Sequence, residues 1–229
     1  MIITIDGPTA SGKSTVAREL ARRLGFYYLN TGMLYRAIAY VLMHYRNYSL
    51  SDVFQPQLDD LDYCLDPQKL AYYYEPSGTI NIRFEGVDIT PFLKHNSMDK
   101  ASSTISVHPE VRSRLLEFQR WYGKKHDIVA EGRDLGTVVF PQAEVKFFLT
   151  ASLEMRARRW QSDQKKYGEQ FTLNQSEHEI AARDKRDQER TISPLKIPYG
   201  ALVIDNTAYT IEQTVEHMMQ QVGKKKEQP

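Results

Sequence analysis

The chain of 229 residues carries 30 Lys and Arg against 29 Asp and Glu, for a net charge of +1, with 41% hydrophobic and 26% charged residues. The length predicts one large domain or one domain with a sizeable insert, near-neutral charge argues against a protein that coats nucleic acid, and ordinary composition argues against wholesale disorder. No apolar run is long enough to span a membrane, MIITIDGPTA does not read as a secretory signal, and the single cysteine, Cys64, leaves no intrachain disulfide or Cys-based zinc site; the expectation is a soluble cytoplasmic monomer that binds neither nucleic acid nor membrane.

Taken in chain order, the pattern predicts a strand at Ile2–Asp6 and a helix at Lys13–Leu24. That helix has apolar Val16, Ala17, Leu20, Ala21 and Leu24 at 3- and 4-residue spacing, and Gly25 stands where a helix-ending glycine belongs. A strand at Phe26–Leu29 and a helix from Thr31 to about Tyr45 follow, with Thr31 the expected cap. Leu70–Tyr74, Thr79–Phe84 and Val87–Ile89 read as a small antiparallel insert with a turn at Pro76–Gly78. A helix at Pro109–Tyr122 leads to strands at Asp127–Glu131 and Val145–Thr150. Helices at Leu153–Lys166 and Ser176–Arg190 are separated by a polar loop, Tyr167–Gln175. A strand at Ala201–Asp205, a helix at Ile211–Val222 and a fraying GKKKEQP tail complete the chain. Apolar strands alternating with helices predict an α/β fold, a five-stranded parallel sheet with helices on both faces.

The strongest chemical signal lies between the first strand and the first helix. Gly7, Pro8, Thr9, Ala10, Ser11, Gly12, Lys13 and Ser14 fit GxxxxGK[ST], and that context is the one a P-loop requires. Its glycines let successive amides face phosphate oxygens, and the helix N-terminus adds partial positive charge. Lys13 is then expected at the β- and γ-phosphates of ATP, the Ser14 hydroxyl on Mg²⁺, and Thr15 within the same nucleotide cradle.

Further cations gather at the strand ends. An open α/β sheet binds ligands beyond the C-terminal ends of its strands, so Arg36, one turn into its helix beside Tyr35, and Arg133 are expected to point into the P-loop crevice. Arg183, Arg186, Asp187 and Arg190 share one helical face by spacing, and Arg156 and Arg159 stand three apart on the preceding helix. So many planar, permanently charged forks suit two phosphorylated substrates better than one nucleotide. The alternative is that some are surface charges paired with Glu154, Glu177, Asp184 or Glu189.

Together, ITIDGPTASGKST, NTGMLYR, VAEGRDLGTVVFP, RARRW and RDKRDQERTISPL resemble the bacterial cytidylate kinases, from about Ile2 to Glu216. The resemblance implies a single P-loop kinase domain that moves the γ-phosphoryl of ATP to CMP or dCMP. It implies a core at about residues 1–30, 107–155 and 191–222, a monophosphate-binding region with an antiparallel insert at about 31–106, and a short lid at about 156–190. Thr31, Tyr35, Arg36, Arg133 and Arg190 would hold the acceptor monophosphate and its sugar, Arg183 and Asp187 the sugar hydroxyls, and Ser103, Arg112 and Asp134 the cytosine. Arg156 and Arg159 would cover the ATP phosphates, and Glu131, where an aspartate is also common, would act near Mg²⁺. Transfer would be direct and in line, with the insert and the Tyr167–Gln175 loop closing over the substrates to exclude water.

Other readings are weaker. No NKxD guanine reader and no DxxG after the third strand support a GTP switch, and the remaining rival is a P-loop kinase for UMP, AMP or a non-nucleotide alcohol. The six histidines form no HxH or HExxH pair. Tyr72, Tyr73 and Tyr74 read as partly buried with exposed hydroxyls, and Trp121 and Trp160 as packing residues.

Overall fold

A computed structural model describes residues 1–75, 77–94 and 96–226. Pro76 of the expected turn and the last three residues of the tail lie outside the described residues. In chain order the elements are β1 (Ile2–Asp6), α1 (Lys13–Leu24), β2 (Tyr27–Asn30), α2 (Thr31–Tyr45), α3 (Leu58–Cys64), β3 (Leu70–Tyr74), β4 (Ile80–Phe84) and β5 (Val87–Asp88). Then come α4 (Asn96–Ile105), α5 (Pro109–Lys125), β6 (Ile128–Gly132), β7 (Val145–Thr150), α6 (Leu153–Lys165), α7 (Leu173–Glu189), β8 (Leu202–Asp205) and α8 (Ile211–Lys226). They fall into two compact units: Met1–Leu29 with the chain from Gly123 onward, and Asn30–Tyr122. The second unit therefore takes in most of α5, which the sequence reading assigns to the core. Among the described residues no helix is long and apolar enough to cross a membrane.

The first unit is built on a five-stranded parallel sheet in the order β2-β6-β1-β7-β8, as the continuous apolar strands predict. Central β1 pairs in parallel with both neighbours, Ile3 lying opposite Val129 on one side and Val145 on the other. Ile3, Ile5, Val129, Phe147 and Leu149 are fully buried, each side chain contributing about 1.5–3 kcal/mol by leaving water. Helix α1 buries Val16, Ala17, Leu20 and Ala21. It stops at Gly25, whose left-handed φ of 69° lets its amide reach the carbonyls of Ala21 and Arg22.

In the second unit α2 buries Leu34, Ala37, Ile38, Val41 and Leu42. The insert is a three-stranded sheet, β3-β4-β5, whose adjacent strands pair antiparallel. Two details differ from expectation. Asn30, not Thr31, caps α2, its side chain accepting from the Met33 amide. Tyr72 is fully buried, and its hydroxyl accepts from the Asn30 amide at 3.0 Å instead of facing water. Trp121 does pack, edge-on against Tyr122 with ring centroids 4.9 Å apart, but at 52% exposure it does so at the surface.

In the first unit, α7 begins at Leu173 rather than Ser176, because Thr172 and Gln175 form a reciprocal capping box. That shortens the expected polar loop. Trp160 packs against Phe171 with ring centroids 4.8 Å apart.

Candidate active site

The phosphate cradle starts where β1 ends. Gly7 has φ 153°, and a Cβ there would stand 2.1 Å from the Leu149 carbonyl oxygen, so only glycine fits. Ala10 adopts the left-handed region with φ 57°, as does Gly12 with φ 90° at the head of α1. Lys13 is buried, and its ammonium donates to the Pro8 carbonyl at 2.6 Å and the Ser11 hydroxyl at 3.3 Å. Burial, with Arg133 adding repulsion, pushes that ammonium down to about 7. Ser14 donates to Glu131 Oε1 at 2.7 Å, and the Tyr28 hydroxyl reaches the same oxygen at 3.3 Å. A hydroxyl and a carboxylate side by side at the P-loop are hard oxygen donors of the type that Mg²⁺ accepts.

Around the cradle the first unit gathers most of the expected arginines, each beside a carboxylate or carbonyl. Arg156 pairs with Asp184 and donates to the Thr9 carbonyl at 3.1 Å. Asp184 in turn accepts from the Thr9 amide at 2.8 Å. Arg159 donates to the Ser11 carbonyl at 3.3 Å and the Asn206 side chain at 3.0 Å. Asn206 ties back to the same Ser11 carbonyl at 3.0 Å. Arg133 donates to Asp187 at 2.8 Å and to the Thr9 hydroxyl at 3.3 Å. Burial works to raise the Asp187 carboxyl, but Arg133 outweighs it and leaves Asp187 below its ordinary value. Arg190 stands just past the end of α7, 3.9 Å from Asp187 and 3.8 Å from Asp134, and donates to the Ser193 carbonyl at 2.6 Å. Arg183 is half-buried and contributes to the lowering of Asp187.

At two places the arginines depart from what helical spacing predicts. Arg186 is exposed while Asp187 is buried, so the four positions do not form one working face. The surface-charge alternative holds for Arg158, which pairs with Glu154 at 2.8 Å, and not for Arg156, which is buried with Asp184.

The second unit holds the other expected residues. Arg36 is gripped by Asp99 through two guanidinium nitrogens, Nε at 3.1 Å, with its Nη1 against the Met33 sulfur at 3.6 Å. Arg112 is buried, lies 5.7 Å over the Tyr35 ring, and donates to the Ser106 carbonyl at 2.9 Å. The Ser106 hydroxyl donates to the Ser103 carbonyl at 2.9 Å, which places Ser103 in the same chain of contacts. Thr31 is buried in the first turn of α2. Asp99 and Asn206 had no place in the sequence-based expectations, and Asp184 stood there only as a surface pairing partner. Asn206 had a usable signal, since it directly follows a strand end, and Asp184 stands inside the RDKRD string; Asp99 lies on α4, a helix the pattern did not reveal.

A parallel sheet with a Gly-rich turn feeding a buried lysine at a helix N-terminus, ringed by arginines, defines a P-loop phosphate-binding α/β protein. The fold is similar to that of an uncharacterized protein from Eubacterium ventriosum ATCC 27560, at TM-score 0.52 and 11% identity over 97% of this chain and 98% of that one. The sequence model of the family described as Cytidylate kinase matches residues 3–224. The cytidylate kinase of Marinomonas sp. (strain MWYL1) is 39% identical over 223 residues, 97% of this chain and 96% of the relative. That of Pseudomonas savastanoi pv. phaseolicola (strain 1448A / Race 6) is 40% identical over 222 residues, 97% and 95% of the two chains. The chain belongs to the cytidylate kinase family, and it is a kinase.

Proposed function

We propose that this protein transfers the γ-phosphoryl group of ATP to CMP or dCMP, giving ADP and CDP or dCDP, in the cytoplasm. The observation that carries this reading is Arg133, whose guanidinium touches the P-loop through Thr9 while Asp187 holds its other edge. One arginine thus stands beside the donor cradle and next to Asp134, the proposed base reader. Gly7, Pro8, Thr9, Ala10, Ser11, Gly12, Lys13, Ser14 and Thr15 cradle the ATP phosphates, with Arg156 and Arg159 over them. Ser14 would hold Mg²⁺, with Glu131 acting near it, and the ion would neutralise phosphate charge. Thr31, Tyr35, Arg36, Arg133 and Arg190 take the acceptor phosphate and sugar, and Arg183 and Asp187 take the sugar hydroxyls.

Ser103, Arg112 and Asp134 read the cytosine. A carboxylate accepts from the cytosine amino group and a guanidinium donates to its ring acceptors; uracil reverses both polarities, and each buried mismatch costs about 1–3 kcal/mol. The acceptor oxygen is already ionised, so these residues position and neutralise charge instead of moving a proton.

The test is an ATP-coupled panel of CMP, dCMP, UMP and AMP. CMP and dCMP should lead; preference for AMP or UMP overturns the reading. Two variants sharpen it. Folded Lys13→Ala should lose turnover by several orders of magnitude. Asp134→Asn should lower the CMP-over-UMP ratio in kcat/KM by about tenfold, because the amide can donate to the uracil oxygen. Equal losses on both bases would remove Asp134 from base reading.

A further inference from the structure

The segment after β6 departs from ordinary helix geometry. Val139 donates back to the Asp134 carbonyl at 3.2 Å and Phe140 to the Leu135 carbonyl at 2.7 Å, so Leu135–Val139 is a wide turn closed by five-residue hydrogen bonds. The first amides of any helical turn lack partners within the turn, and a side chain at the position before it commonly caps them. Asp134 holds that position, yet its side chain makes no capping bond. The cap comes from the adjacent C-terminal end of the neighbouring parallel strand, where Asp6 lies opposite Gly132. Asp6, the last residue of β1, is fully buried and accepts from the Leu135 amide through one carboxylate oxygen and from the Gly136 amide through the other, both at 2.8 Å.

We propose that Asp6 is a positioning residue for the acceptor side of the reaction: by capping the turn behind Arg133 and Asp134, it fixes where those two side chains stand. This rests on the acceptor roles given to Arg133 and Asp134 above. The geometry supports it from both sides. Asp6 directly precedes Gly7, so the residue that starts the phosphate cradle and the strap that holds the acceptor loop are consecutive. The turn also has little room to drift. A Cβ on Gly136 would stand 2.8 Å from Pro198 Cγ and 3.0 Å from the Thr4 hydroxyl, so that backbone is seated against its neighbours where Asp6 grips it.

A carboxylate bonding two amides cannot be matched by an amide side chain, whose NH₂ would face one of the donors. Steady-state kinetics and thermal melting of Asp6→Asn, Gly136→Ala and Asp134→Ala test the proposal. Asp6→Asn should raise KM for CMP by about tenfold, the size of one charge-assisted hydrogen bond, and leave KM for ATP within about twofold. Gly136→Ala, which pushes the same turn while keeping the Asp6 carboxylate, should move KM for CMP the same way. A purely structural Asp6 would lower the melting temperature and spare the KM of the folded enzyme.

Folded Asp6→Asn with unchanged KM for CMP, or with both KM values rising alike, overturns the proposal. If Asp6→Asn does not fold, a folded Gly136→Ala with unchanged KM for CMP overturns it. Normal CMP handling by Asp134→Ala sinks the acceptor reading itself, and the strap with it. Loss in Asp134→Ala beside normal Asp6→Asn and Gly136→Ala sinks the strap alone.

Discussion

Ala10 holds a left-handed φ of 57° at the crest of the cradle, a conformation that a Cβ makes costly by about 1–2 kcal/mol. Ala10→Gly relieves that cost and adds freedom to the unfolded chain worth about 0.4–1 kcal/mol, so the net is a small gain. Urea denaturation should place the variant at a slightly higher midpoint. Asp6 carries a different kind of strain. Burial raises its carboxyl from 3.8 to about 6, against the pull of the Gly136 and Leu135 amides. A carboxyl raised in the fold binds protons more tightly there than in the unfolded chain. Its stabilising contribution is therefore complete below about pH 3.8 and fades as pH rises through about 6. Melting wild type and Asp6→Asn in parallel should show the wild-type advantage largest near pH 4 and shrinking toward neutrality. At this scale the sequence is legible where spacing fixes placement: Lys13 at the head of α1 and the glycines of the preceding turn lie where the motif puts them. Partners are not legible, because Arg36–Asp99 and Arg133–Asp187 join residues 63 and 54 positions apart and only the fold brings them together.

Helix α7 shows how a few residues set an element that carries part of the candidate site. Its Thr172–Gln175 capping box starts the helix that carries Asp184 and Asp187 and ends at Arg190. Thr172→Ala should cost about 1 kcal/mol, read as a lower urea midpoint. Asp184 and the side chains proposed to hold the acceptor lie three or more turns further on, so KM values should hold within about twofold. Elements with strong periodicity were readable in advance, and β1, α1, β3 and β7 end where the pattern puts them. The short ones were not. Helix α3 has seven residues, too few for a period to show, and α4 opens with Asn-Ser-Met-Asp, residues as suited to a turn as to a helix. The turn at Leu135–Val139 depends on a cap from another strand, which no local pattern encodes.

Across the whole molecule, stability rests on the interior of each unit and function on the polar groups at strand ends. Phe147 lies fully buried in the sheet, and Phe147→Ala should cost about 3–5 kcal/mol in urea titrations. Tyr199 is 97% exposed, and Tyr199→Ala should stay within about 0.5 kcal/mol of wild type. The order of the five-stranded sheet has a consequence for how the chain is born. β1 is made first, yet both of its neighbours, β6 and β7, begin only at Ile128 and Val145, and β2 also waits for β6. The Asn30–Tyr122 segment contains its own sheet and is finished before any strand of the other sheet has a partner. On the ribosome the interrupting segment can collapse first, while β1 trails unpaired for more than a hundred residues of synthesis and depends on a long-range closure that is intrinsically slow. Pulsed hydrogen exchange during refolding should protect the amides of β3 and β4 ahead of those of β1; simultaneous protection would mean that the outer segment does not lead.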